Sequence, residues 1–123
     1  MESVRSREYM AQSQESESFV DGTPLVELFG SPARTKLLSV FVDERDRDLN
    51  ISELARQAGI ARSTVYDHLD RLEQLGIIVE TRTTGPGARY QLSEESEIAQ
   101  KLYEIDGLVL RRLLELDGEL DKR

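Results

Sequence analysis

Residues 51–92 read ISELARQAGIARSTVYDHLDRLEQLGIIVETRTTGPGARYQL, and this stretch decides the fold. Ser52 stands where it can cap a helix over 53–58, which Gly59 ends. A second helix is predicted from Arg62 to Leu75. Its inner face carries Val65, Leu69 and Leu72 at steps of four and three, and Gly76 is its stop. Ala55 is small where two helices joined by so tight a turn must approach. Gly59 lies where the chain reverses and a positive φ is often needed, and Ile60 plugs the turn. Beyond Gly76, IIVETRT (77–83) is rich in β-branched residues, TGPGA (84–88) suits only a turn, and RYQL (89–92) returns. These pieces predict a β-hairpin around a Gly-Pro-Gly tip.

Upstream, LNI (49–51) is a short extended piece. Before it, TPLVELFG (23–30) and SPARTKLLSVFVDE (31–44) each start with a hydroxyl cap followed by proline at the first helical position. Leu37, Leu38, Phe41 and Val42 form the apolar stripe of the second of these helices, which the acidic run DERDRD terminates. Residues 1–22 are polar, with few apolar side chains, and are expected to be a disordered tail. Downstream, Ser93 is expected to open a last helix, with Glu94 and Glu95 in its first turn. That helix continues to about Leu116 or beyond, roughly 36 Å, and tolerates Gly107 at a cost of about 1 kcal/mol.

The order helix, short strand, helix, tight turn, helix, hairpin is that of a winged helix-turn-helix. The expected fold is mainly α with a small β-hairpin, in three parts: the tail 1–22, a DNA-binding domain over 23–92, and a C-terminal dimerisation helix over 93–120. A chain of 123 residues has room for one such core.

Composition removes several alternatives. There is no cysteine and a single histidine, so disulfides, thiolate zinc sites and thiol redox sensing drop out, and no metal or cofactor site is expected. No apolar run approaches a membrane span and the N-terminus lacks a signal-peptide core, so the expected location is the cytoplasm, on the nucleoid when DNA is bound. Catalysis would need an acid–base or nucleophilic constellation around His68, and no residue supplies one; the chain is not expected to be an enzyme.

The formal charge of −8 sits oddly with a DNA-binding motif until it is mapped. Residues 1–29 and 93–123 each carry −4, and residues 30–92 are neutral. Between 56 and 66, and again between 81 and 92, there are two arginines and no acids. The acid lies at the ends, away from the surfaces expected to meet DNA. Arginine outnumbers lysine 13 to 3, and an acidic, lysine-poor surface looks like that of proteins from salt-loving archaea.

The stretch 51–92 resembles the winged-helix DNA-binding domain of ArsR-, MarR- and TrmB-like prokaryotic regulators, and ELFGSPARTKLLSV (27–40) looks like the helix before that domain in small haloarchaeal regulators. The cysteine and histidine clusters of metal-sensing relatives are absent. Relatives often cap the second helix with Ser or Thr where this chain has Ala61, so a bond worth about 1 kcal/mol is missing or is replaced by Ser63 or Thr64. The resemblance implies that the helix over 62–75 enters the major groove N-terminus first. With Val65, Leu69 and Leu72 inward, Arg62, Ser63, Tyr66 and Asp67 lie on or near the outward face. Arg62 suits a guanine edge or a phosphate. Ser63 and Thr64 suit phosphate oxygens, Tyr66 a phosphate or a thymine methyl, and Asp67 a cytosine amino group or a slot turned away from DNA. Arg56 on the preceding helix is a further candidate, although exposed arginines are common on any helix. The resemblance gives the wing arginines Arg82 and Arg89 phosphate or minor-groove contacts, with a solvated hairpin as the plainer alternative. His68 is expected on the packing side as a structural residue, and Tyr90 and Leu92 in the core.

On the C-terminal helix, Ile98, Leu102, Ile105, Val109, Leu113 and Leu116 make one stripe, and Leu108, Leu110 and Leu114 widen it. One stripe can pack on the chain's own domain, but a second apolar face asks for a partner, which predicts a homodimer through this helix. The functional expectation is a homodimeric, sequence-specific regulator of transcription on a palindromic double-stranded operator, repressing rather than activating; no residue cluster names an effector. The alternative is a winged helix used as a protein-docking module on transcription or other nucleic-acid machinery.

Overall fold

The computed structural model describes residues 21–85 and 87–121, so nearly all of the predicted tail lies outside the described residues. Among the described residues, two proline-initiated helices come first, α1 (Pro24–Phe29) and α2 (Pro32–Asp43). Ser31 caps α2 by accepting the Arg34 N–H at 3.2 Å. Then follow β1 (Leu49–Asn50), α3 (Ile51–Ala58), α4 (Arg62–Gln74), the hairpin strands β2 (Ile78–Thr84) and β3 (Gly87–Leu92), and the long α5 (Glu97–Asp121).

The turn behaves as its residues dictate. Gly59 has φ +70° and its N–H returns to the Ala55 carbonyl at 2.9 Å, a conformation that a side chain would strain. Ala55 and Ala58 are buried where α3 meets α4, and Ile60 packs half-buried against the core. That core is assembled from Leu37, Phe41, Leu54, Val65, Leu72 and Ile77, each almost completely enclosed. Leu69 and Leu92 join it and Tyr90 is partly buried beside it.

The short extended piece is more than a connector. β1 pairs antiparallel with β3, Leu49 opposite Tyr90, giving a three-stranded sheet of order β1-β3-β2. The hairpin register runs from Ile78 opposite Leu92 to Thr84 opposite Gly87, with a β-bulge between Glu80 and Arg82.

Two helix starts differ from the sequence reading. The cap of α3 is Asn50, not Ser52: its side chain accepts the Glu53 N–H at 2.8 Å while the Glu53 carboxylate accepts the Asn50 N–H at 2.9 Å. This reciprocal box satisfies two end groups at once, which Ser52, two residues along, cannot do. The last helix starts at Glu97, not Ser93. Ser96 supplies the cap, accepting the Ala99 N–H at 3.0 Å, and residues 93–96 form a turn.

Candidate nucleic-acid interface

The first turn of α4 is open. Ala61 occupies the cap position in extended geometry (φ −69°, ψ 151°), and no side chain caps the helix; neither Ser63 nor Thr64 takes over. The turn therefore presents N–H groups without a side-chain acceptor at the positive end of a helix dipole, an arrangement that favours an anion. Around it, Arg56, Arg62, Ser63, Tyr66 and Asp67 are exposed and Thr64 is half-buried, while Val65, Leu69 and Leu72 face the core. Tyr66 is 57% exposed, a large apolar side chain left open on this face. Arg56 on α3 and Arg62 in the first turn of α4 make no ion pair among the described residues.

The back of α4 is tied down. Arg34 donates its Nε to His68 Nδ1 at 3.2 Å and another nitrogen to Glu27, which also receives Arg71 at 3.0 Å. One carboxylate on α1 thus grips α2 and α4 together. Hydrogen bonds from Arg71 and Arg34 hold the Glu27 carboxyl below its ordinary value. Desolvation, then the Arg34 charge, pushes His68 down, and its Nδ1 serves as an acceptor for Arg34. His68 has a structural role here.

The wing has a different character from that of α4. Arg82 and Arg89 both converge on Asp48, the residue just before β1. Arg82 donates Nε at 2.9 Å and Nη2 at 3.3 Å, and Arg89 donates Nε at 2.9 Å. Thr81 adds its hydroxyl at 2.6 Å. Adjacent residues of a regular strand point to opposite faces, and the bulge at Glu80/Arg82 accounts for Thr81 and Arg82 addressing the same carboxylate. These donors hold the Asp48 carboxyl far below the usual aspartate range, Arg82 contributing most. Arg89 also reaches Glu53 at 3.0 Å and the Asp48 carbonyl at 3.0 Å, and its side chain is only 15% exposed against 61% for Arg82. The structure therefore turns Arg89 into the base of the wing and leaves Arg82 on its surface. The sequence reading missed Asp48 and Glu53 as partners of the wing, because the wing residues that engage them lie 33–41 residues away along the chain.

At the other end, α5 is held to the body by buried Ala99, half-buried Leu102 and the Arg45 guanidinium 3.9 Å above the Tyr103 ring. Past that point its apolar side chains are poorly covered: Ile105, Leu108, Val109, Leu110, Leu113 and Leu114 are each about half exposed or more. An apolar cleft of about 490 Å³ opens between α1 and α5, lined by Leu25, Leu28, Phe29, Ile98, Leu102 and Ile105. No helix among the described residues is long and apolar enough to cross a membrane, and no three acidic, histidine or cysteine side chains among them group as a metal site.

Residues 37–82 match the family model of the IclR helix-turn-helix domain, from the middle of α2 into the wing. No curated protein sequence matches the chain. Among solved structures, the chain is similar to an apo double mutant of Lactococcus lactis ZitR (TM-score 0.58, 15% identity, 80% of this chain and 74% of that one). It is similar to the antimony-specific transcriptional repressor AntR (TM-score 0.56, 22% identity, 87% and 94%). A MarR family transcriptional regulator from Silicibacter pomeroyi DSS-3 aligns at TM-score 0.56 and 20% identity, over 92% of this chain and 75% of that one. These structural likenesses establish the fold, a winged helix-turn-helix with a small antiparallel sheet and a long C-terminal helix, and the family match marks a helix-turn-helix within it.

Proposed function

We propose that the chain is a homodimeric, sequence-specific double-stranded DNA-binding regulator of transcription, acting as a repressor by occupying a palindromic operator. The observation that carries this reading is the open first turn of α4, with unpaired Arg62 and Arg56 and exposed Tyr66 beside it. Phosphate oxygens complete the free N–H groups together with Ser63 and Thr64. Arg62 and Tyr66 read the major groove, and Asp67 accepts from a cytosine amino group. Arg82 adds a backbone contact from the wing.

The uncovered apolar face of α5 supports the dimer. Ile105, Val109, Leu113 and Leu116 continue the stripe that Ile98 and Leu102 begin next to α1, and a second copy of the same helix buries it. Two-fold symmetry then sets half-sites about 34–36 Å apart, or a multiple of that. Light scattering should return twice the 14.0 kDa chain mass at high salt, and Leu113→Glu should return the single mass with α4 still folded. A monomeric wild type would remove the dimer and with it the palindrome.

The acidic ends and the scarcity of lysine suit a salt-rich cytoplasm. At 1 M salt the Debye length is about 3 Å, so distant carboxylates barely repel the duplex, while the counterion-release drive is largely spent. Affinity in that setting rests on base and apolar contacts. The experiment is fluorescence anisotropy of the full chain on genomic fragments, its own promoter included, at 0.1 M and multimolar KCl, with Arg62→Ala as control. Selective binding that survives KCl and weakens in the variant by about 1–3 kcal/mol is the expected result. A second reading, a protein-docking winged helix, draws on the wing, whose arginines are engaged by acids; absence of selective binding at either salt with the dimer intact would favour it.

A further inference from the structure

Six charged side chains run in alternating sign from the end of α2 to the wing. Glu44 meets Arg47 at 3.3 Å, Arg47 meets Glu53 at 3.3 Å, Glu53 meets Arg89 at 3.0 Å, Arg89 meets Asp48 at 2.9 Å, and Asp48 meets Arg82 at 2.9 Å. Each interior group is balanced by two neighbours. Arg82 is the cationic end, the most exposed member, and bonded on one side only. Its Nε–H and one Nη2–H are taken by Asp48. Nη1 and the second Nη2–H have no partner among the described residues, so the outer edge of a fixed guanidinium plane faces solvent.

We propose that Asp48 is a positioning residue for DNA binding: it holds the Arg82 guanidinium side-on, so that the free edge meets a backbone phosphate beside the groove entered by α4. This rests on the DNA-binding reading and assigns the wing arginines separate tasks. Arg89 is consumed in the base of the wing, where its charge offsets that of Asp48. Arg82 therefore keeps a positive charge for the phosphate although a carboxylate touches it. An arginine held in one pose loses less freedom on binding than a free one, and the bidentate fork converts that pose into direction. Thr81, bonded to the same carboxylate, and the bulge beside it fix the other coordinate of the clamp.

The test measures affinity against salt for the full chain on its selected DNA fragment, with Arg82→Ala, Arg82→Lys, Asp48→Asn, the double variant Asp48→Asn/Arg82→Ala, and Arg62→Ala as reference. Arg82→Ala should bind about tenfold more weakly, with a log–log salt slope shallower by about 0.9, one phosphate contact. Asp48→Asn should weaken binding about three- to tenfold in the parent and have no effect in the Arg82→Ala background. Arg82→Lys keeps the charge but cannot pair side-on, and should bind almost as weakly as the alanine variant. It leaves Asp48 in place, so it decides the matter even if Asp48→Asn fails to fold. Tighter binding by Asp48→Asn, an equal loss in both backgrounds, or full binding by Arg82→Lys overturns the proposal. If Arg62→Ala weakens binding while the Arg82 variants do not, the DNA reading stands and the role of Asp48 falls. If no fragment is bound at all, the reading itself falls and takes the proposal with it.

Discussion

Ala61 offers a perturbation in which stability and binding should move in opposite directions. It is exposed and sits in cap geometry at φ −69°, ψ 151°, so Ser or Asp fits there without strain. Either side chain can accept from the N–H of Ser63 or Thr64, which no side chain now satisfies. A cap of this kind is worth about 1 kcal/mol, and the aspartate adds about 0.3–1 kcal/mol from the helix dipole. For a domain of this size that raises Tm by about 4–8 °C per kcal/mol. The two variants should part on DNA. A serine hydroxyl can still donate to a phosphate, whereas a carboxylate at this position faces the phosphate itself. Two like charges about 4 Å apart cost at least about 1 kcal/mol even in water, so Ala61→Asp should bind at least about fivefold more weakly in dilute salt. Multimolar KCl should shrink the deficit. Thermal unfolding by circular dichroism and anisotropy titration on one fragment measure both effects. Ala61→Asp without stabilisation would mean that the N–H groups are not open. Ala61→Asp stabilised but with unchanged affinity would mean that this helix end does not face DNA.

Glu27 gives a pH signature. Its folded pKa lies below the ordinary value, chiefly through the Arg71 and Arg34 hydrogen bonds, so its contribution is fully present above about pH 4.5 and is lost as the pH falls through the folded value. Glu27→Gln should cost about 1 kcal/mol at pH 7 and flatten stability below pH 4.5, the two curves converging in acid; parallel curves in a denaturant series would refute the linkage. Leu54→Ala, at a fully enclosed position of α3, should cost about 2–5 kcal/mol by chemical denaturation, and a loss under 1 kcal/mol would mean that the helix pair does not share the core described.

The turn, the hairpin and the inner face of α4 were legible in the sequence because each is encoded by neighbours a few residues apart: Gly59 after Ala55, and Val65 with Leu69 and Leu72. The true cap of α3 escaped because Asn50 and Ser52 are both good caps, and the choice belongs to Glu53, whose side chain reaches back to the Asn50 N–H. The start of α5 moved for a related reason: Ser93 and Ser96 both fit, and Ser96 is the one that the Ala99 N–H reaches. The wing was less legible. Nothing near Arg89 in the chain tells that its guanidinium is occupied by Asp48 and Glu53, and only the folded sheet brings those carboxylates within 3 Å.

Asp48 also has a mechanical consequence. Its carboxylate receives Thr81 and Arg82 from one strand of the hairpin and Arg89 from the other, and the next residue, Leu49, lies in the strand that leads directly into α3. A hairpin pinned across both strands, at the root of the helix that precedes the turn, has no hinge at its base. Wing and helix-turn-helix then travel as a single block, and in the dimer proposed above a signal that altered the grip on DNA would act on the separation and tilt of the two blocks rather than on the bend of either wing.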